Sequence, residues 1–177
     1  MTYLNHNLSQ DHLDKTYQSD YYWYLKSPEF SQTFLKPLGN ICNELGGHVL
    51  DVGCGEGQLY RHINVEYTGI DASSIAIERA KETWPGDFRV ARFETWEEQG
   101  FDTVVFGGVL SVIVLPTMYI SFIRKFGGSH FIIYDLQKLD TTDIDKRWEC
   151  IHSIEAKADL PIGKVKCCRK IRVYRCE

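Results

Sequence analysis

The chain has no run of about 18 apolar residues that would carry it across a bilayer. Its start, Met1-Thr-Tyr-Leu-Asn-His-Asn7, shows neither the basic opening nor the apolar core of a secretion signal. These absences predict a cytoplasmic protein with no membrane partner. No C-x-x-C pair or other zinc spacing occurs among the six cysteines at positions 42, 54, 150, 167, 168 and 176. No metal site is expected, and free thiols acting as small hydrophobes are the default in a reducing compartment. An excess of basic charge is missing too: 20 Lys and Arg face 24 Asp and Glu, for a net charge of −4. That balance offers no general attraction to nucleic acid or anionic lipid, and it favours small-molecule or protein substrates.

What is present is enough for one compact unit, since 177 residues with 44% hydrophobic and 25% charged side chains can bury a sizeable core. Its most informative segment is Val49-Leu-Asp-Val-Gly-Cys-Gly-Glu-Gly57. The apolar run from His48 to Val52, placed after the Gly46-Gly47 breaker, has the pattern of a strand buried on both faces of a parallel sheet. Gly53, Gly55 and Gly57 then permit positive φ and lack the Cβ atoms that would hold a ligand away, while Leu59 to Ile63 can begin a helix behind them. The spacing D-x-G-x-G-x-G differs from the G-x-G-x-x-G of dinucleotide enzymes. A second strand, Glu66 to Ile70, ends in Asp71, 18 residues after Gly53. An acidic residue at that distance meets ribose hydroxyls in nucleotide-type folds. A plainer reading stands beside this one, with Asp51 capping a turn and Asp71 capping the next helix.

With Val49 to Gly57, Thr68-Gly-Ile-Asp-Ala-Ser73 and Phe101-Asp-Thr-Val-Val-Phe-Gly-Gly-Val-Leu110, the chain resembles the class I S-adenosylmethionine-dependent methyltransferases over roughly residues 45 to 177. The resemblance implies a Rossmann-like, doubly wound α/β fold with a seven-stranded sheet, an antiparallel last strand and helices on both faces. It implies S-adenosyl-L-methionine as cofactor. Asp51, Gly53, Cys54, Gly55 and Gly57 would surround its methionine part, and Asp71 with Ala72 would meet the ribose hydroxyls. Gly107, Gly108 and Val109 would pass beneath the sulfonium. Glu94 would accept from the adenine amine, or the N–H groups of Thr95 and Trp96 would meet the ring nitrogens; a solvated acidic turn is the alternative for Glu94. Cys54 itself reads as a small filler rather than a nucleophile.

The rest of the chain alternates strands and helices. A helix is expected from Ser74 to about Trp84, then strands at Asp87 to Phe93, Phe101 to Phe106 and His130 to Tyr134. Tyr119, Phe122, Ile123 and Phe126 form one apolar helical face before Gly127-Gly128. Only residues 94 to 100 separate the third and fourth strands, so the crossover helix there must be one turn or absent. Trp148 to Glu155 and Lys164 to Cys176 read as a closing hairpin.

Residues 1 to 45 are expected to form a helical extension or lid ahead of a methyltransferase domain at 46 to 177. Ser27-Pro28 is a helix start, and Phe30, Phe34, Leu38, Ile41 and Leu45 continue at helical spacing past an expected kink at Pro37. The run Tyr21-Tyr22-Trp23-Tyr24 cannot turn all its rings to one core. Two readings remain, a lid and pure packing. As a lid, Tyr17 and Tyr22 would contact the cofactor, and Tyr21 and Trp23 the substrate.

Methyl transfer is an in-line displacement that needs alignment more than acid or base help. Asp135, at the end of the fifth strand, is the carboxylate placed by topology to orient or deprotonate an acceptor, with a turn or cap role as the alternative. His130 and His152 read as structural. Gly107-Gly-Val-Leu-Ser-Val-Ile113 lacks the Asp/Asn-Pro-Pro-aromatic motif that grips a flipped base, and no Pro-Cys nucleophile occurs. Small-molecule N- or O-methylation is therefore the leading expectation, with a silent cofactor-binding protein and a nucleic-acid modifier as alternatives. In the last strand Val165, Cys167, Ile171 and Val173 share one parity and Lys166, Lys170 and Arg172 the other, the pattern of a half-buried strand with a charged solvent face. A phosphate contact is its second reading.

Overall fold

Apolar runs too continuous for a half-exposed strand set the centre of the sheet, and the computed structural model describes residues 9–19, 23–110, 119–126, 128–136, 139–159 and 166–176. The strands are β1 (His48–Val52), β2 (Glu66–Asp71), β3 (Asp87–Val90), β4 (Thr103–Gly107), β5 (His130–Leu136), β6 (Glu149–Asp159) and β7 (Lys166–Arg175). They form one seven-stranded sheet in the order β3-β2-β1-β4-β5-β7-β6. Strands β1 to β5 pair in parallel, and β7 runs antiparallel between β5 and β6. This is the doubly wound α/β architecture expected above. The chain leaves β1 towards β2 and returns to β4 on the other side, which opens a crevice at the carboxyl ends of β1 and β4.

Around the sheet lie α1 (Gln10–Gln18), a 3-10 turn (Trp23–Lys26), α2 (Pro28–Phe30), a π turn (Ser31–Leu35), α3 (Lys36–Leu45), α4 (Ser74–Thr83), α5 (Tyr119–Phe126) and α6 (Thr142–Asp145). Side chains alternate across the strands and sort the core into two layers. On one face Phe30, Phe34, Leu38 and Ile41 meet Val49, Tyr67, Val105, Ile132, Tyr134 and Ile171. On the other, Ile123, Phe126 and Ile144 meet Leu50, Val104, Phe106, Phe131, Ile133 and Tyr174. Full burial of Phe34 or Leu38 contributes about 1.5–3 kcal/mol each, which holds the N-terminal helices on the sheet. Among the described residues no helix is long and apolar enough to cross a membrane.

Four local expectations change. The helix foreseen from Leu59 is only a 3-10 turn, Tyr60–His62. The reason lies in α3: Asn43 donates to the His62 carbonyl and accepts from the Asn64 N–H, and a Cβ on Gly39 would lie 2.5 Å from His62 Cβ. The helix before β1 thus occupies the space of one after it. Strand β3 stops at Val90, because β2 ends at Asp71 and the Ala91 N–H takes the Asp71 carbonyl as its last partner. Strand β5 continues two residues further, its pairing with β7 lasting to Leu136 and Arg169. The irregularity foreseen at Pro37 falls upstream as the π turn, where the Lys36 N–H reaches back to the Ser31 carbonyl. Residues 91 to 102 hold no helix, in line with the short connection between β3 and β4.

Candidate functional site

The segment after β1 turns back over the end of β2, with Gly53, Gly55 and Gly57 at φ of 75, 56 and 75°. The N–H groups of Gly53 and Cys54 both donate to the Ile70 carbonyl, at 2.8 and 3.0 Å. Asp71 completes the turn. Its carboxylate accepts the Gly55 N–H at 3.0 Å and the Ser73 N–H at 2.8 Å, so the acidic residue at the end of β2 holds the loop at the end of β1. Each carboxylate oxygen carries two acceptor sites, which leaves capacity for ligand hydroxyls. The glycines differ in what surrounds them. A Cβ on Gly53 would strike Val109 Cγ2 at 2.2 Å, and one on Gly55 would lie 2.9 Å from the Tyr17 hydroxyl. The room beside Gly57 is filled by Phe88 and Trp84, so this glycine serves packing.

A row of groups crosses the same sheet face at the carboxyl ends. Tyr67 donates its hydroxyl to Asp51 at 2.9 Å. The position of a Cβ on Gly107 lies 3.9 Å from Asp51 Oδ1 and 3.8 Å from Tyr134 Cδ1. Gly107 therefore keeps a gap open between a carboxyl group and an aromatic ring. Burial pushes the Asp51 carboxyl up to about 7, with the Tyr67 hydrogen bond opposing and the Asp71 charge adding to the rise. Burial also raises Asp71, against the N–H groups of Ser73 and Gly55 and with the Asp14 charge adding. Cys54 is a buried thiol pushed well above its ordinary value by burial and then by the charges of Asp51 and Asp71, so it is no thiolate nucleophile.

Helix α1 is latched over the loop. Asp14 accepts the Ser73 hydroxyl at 2.5 Å, the Ser74 hydroxyl at 3.1 Å and the Ile75 N–H at 3.4 Å, at the start of α4. Arg79 of α4 donates to the Tyr17 carbonyl at 2.9 Å and to Glu56 at 2.8 Å, and Lys26 reaches the same carboxylate at 2.7 Å. Trp84 donates its indole N–H to the Glu56 carbonyl at 3.1 Å. Glu56 thus ties the glycine loop, α4 and the N-terminal segment together. Glu56→Ala is expected to cost about 1–2 kcal/mol in urea unfolding, less than a fully buried pair because its cations are partly exposed. It should also speed proteolytic cutting ahead of Ser27 several-fold. An unchanged midpoint together with unchanged cutting would show that Glu56 is no latch.

Other residues singled out in the sequence are distributed as follows. Ala72 is half-buried between Asp71 and Ser73. Gly108 donates its N–H to the Tyr134 carbonyl at 2.8 Å, and Val109 is buried beside Gly53. Glu94 pairs with Arg92 at 3.0 Å, and the N–H groups of Thr95 and Trp96 are both bonded to the Arg92 carbonyl at 3.1 Å. Arg89 lies over the Trp96 ring, 5.6 Å from its centroid. Asp135 is buried at the end of β5, but the alternation that turns Tyr134 to the Asp51 face turns Asp135 to the opposite one. It is not among the residues brought together. Tyr21 and Tyr22 lie outside the described residues, as does the Trp23 side chain.

Asp14, Glu56, Tyr67, Arg79 and Tyr134 were missed in the sequence, and Arg169 was read there only as one of the six basic residues of the last strand. Only Arg169 left a local signal there, a cation at the inward parity of β7. The others depend on partners 16 or more residues away.

A family model described as a methyltransferase domain matches residues 43–167. No curated protein sequence matches significantly. Among solved structures, magnesium protoporphyrin IX methyltransferase from Synechocystis PCC 6803 with bound S-adenosylmethionine is 17% identical at a TM-score of 0.70, covering 97% of this chain and 100% of that one. The plantazolicin methyltransferase in complex with a triazolic desmethyl analogue and S-adenosylhomocysteine is 13% identical at a TM-score of 0.62, covering 95% and 96%. The Pyrococcus abyssi tRNA (uracil-54, C5)-methyltransferase in complex with S-adenosylhomocysteine is 18% identical at a TM-score of 0.58, covering 79% of this chain and 38% of that one.

Proposed function

The chain belongs to the methyltransferase domain family and is an S-adenosylmethionine-dependent methyltransferase, and from that premise we propose that it methylates a nitrogen or oxygen of a small molecule. The observation that carries the site is the loop of Gly53 and Gly55 closed by Asp71, with Asp51 on the adjacent strand end. These residues fit the cofactor. The loop takes positive φ at Gly53 and Gly55, Asp71 keeps acceptor capacity for ribose hydroxyls, and Asp51, raised by burial, would gain from a cation such as the methionine ammonium. S-adenosylmethionine, when bound, supplies a methyl group on a positively charged sulfur.

The protein's share is positioning. Asp51 holds the ammonium, Asp71 the ribose, and Glu94 accepts from the adenine amine. The gap at Gly107, between Asp51 and Tyr134, admits the reacting centre. Tyr17, carried by the latched α1, closes the loop from above at Gly55 and excludes water. In-line transfer then needs alignment, and no base is required in the row. A small acceptor is supported by the net charge of −4 and by the missing base-gripping motif after β4. Two of the solved structures above act on non-nucleic-acid molecules by name, and one on tRNA.

The test is calorimetric binding of S-adenosylhomocysteine, followed by transfer of labelled methyl to pools of small amines and phenols and, separately, to tRNA. Label in tRNA alone overturns the small-molecule reading, and binding without any transfer overturns the enzymatic one. Binding should also depend on pH. Below about 7 the free protein holds Asp51 protonated, so capturing an ammonium must expel a proton. Affinity is expected to rise at least about tenfold between pH 5.5 and 8, and Asp51→Asn to flatten that slope. For the free protein the sign reverses: a raised carboxyl contributes stability below about pH 4 that is lost as pH rises through about 7.

A further inference from the structure

A buried arginine, with the planar donor fork that recognises anions, lies beside the acceptor end of the row. Arg169 is 8% exposed on β7 and shares its inward parity with Ile171 and Val173, whereas Lys170 and Arg172 take the other face. Its pairing partner Leu136 ends β5, which places Arg169 at the carboxyl edge of the parallel strands. The guanidinium carbon sits 5.4 Å from the Phe30 ring centre and 5.0 Å from that of Tyr134. Its Nη1 is 3.6 Å from the position a Cβ would take on Gly108. From Asp51 through Gly107 and Tyr134 to Arg169, one face carries a carboxyl group, a gap, an aromatic ring and a cation in sequence across β1, β4, β5 and β7.

The methyl donor, in the reading above, takes the β1 and β2 side of this row. The β5 and β7 side is left for the acceptor. We propose that Arg169 is a specificity-determining residue that binds a carboxylate of the acceptor, with Phe30 and Tyr134 forming an apolar wall for the carbon skeleton behind it. The guanidinium fork matches two carboxylate oxygens at once, and the Phe30 and Tyr134 rings lie against it. A carboxylate offers the fork its two oxygens, while a phosphate dianion would call for a second cation, and strand alternation turns Lys170 to the other face. The inference rests on the donor assignment of the preceding subsection.

The experiment uses the full chain saturated with S-adenosylhomocysteine, and para-fluorobenzoate and para-fluorobenzamide as probes followed by fluorine NMR. The benzoate should bind in the millimolar range and the neutral amide should not compete with it. Arg169→Gln should weaken benzoate by at least about tenfold, as loss of a charged hydrogen-bonded pair does, and leave S-adenosylhomocysteine affinity within about twofold. Arg169→Met, which keeps the apolar stem against Phe30, supplies the same comparison if the glutamine variant unfolds. Equal binding of the amide, benzoate binding retained in both variants, or no benzoate binding to the loaded protein overturns the inference alone. Loss of S-adenosylhomocysteine affinity in step with benzoate overturns it as well, by giving the cation to the cofactor's own carboxylate. Failure of the unmutated protein to bind S-adenosylhomocysteine overturns the donor assignment and this inference with it.

Discussion

Gly55→Asp should weaken S-adenosylhomocysteine binding by about 100-fold or more, equivalent to about 2.8 kcal/mol, in a calorimetric titration. Three effects act together. Gly55 holds φ of +56°, where a residue with a Cβ costs roughly 1–2 kcal/mol. The new Cβ would come within 2.9 Å of the Tyr17 hydroxyl and push that side chain off the loop. The added carboxylate would also face Asp71, which already accepts the Gly55 N–H. Gly46→Asp is the control, since at φ of +71° and ψ of −169°, a region essentially confined to glycine, it brings backbone strain but into open space. That variant should keep its affinity. Equal affinities for both variants and the unmutated protein would place the cofactor away from this loop.

Asp71→Ala should have the second large effect, and on two quantities at once. It removes the acceptor of two buried N–H groups, those of Gly55 and Ser73. Each orphaned donor costs about 1–3 kcal/mol, and for a chain of this size each kcal/mol lowers the melting temperature by about 2–4 °C. A fall of roughly 5–20 °C follows, together with loss of measurable S-adenosylhomocysteine binding. Asp71→Asn keeps one oxygen acceptor and should fall between. Full affinity in the alanine variant would remove Asp71 from the ribose contact, and an unchanged melting temperature would contradict its bracing of the loop. The measurements are circular dichroism melting and the same titration.

Sequence reasoning reached the β1 loop and the β2 end because both are local patterns. Alternating glycines and an acidic residue closing an apolar run hold their meaning wherever the strands are placed. The short link between β3 and β4 and the closing hairpin were legible for the same reason. The helix expected after Leu59 failed on a non-local fact, the close approach of α3 at Gly39 and the use of Asn43 to finish the turn. Asp135 shows a second limit. Its position at a strand end was readable, but that it lies on the face opposite Asp51 and Tyr134 depends on the register of the whole sheet.

By itself the chain's sequence determined the ends of β1 and β2: a strand, a loop with glycine at alternate positions, and a carboxylate at the next strand end. Backbone conformation and side-chain period settle such features within about twenty residues of one another. The tertiary structure alone decided what closes that loop and what stands beside it. Asp14 meets Ser73 across 59 positions, and Arg169 meets Phe30 and Gly108 only because β7 inserts next to β5. Contacts of that range are created by strand order and burial, which no local pattern encodes.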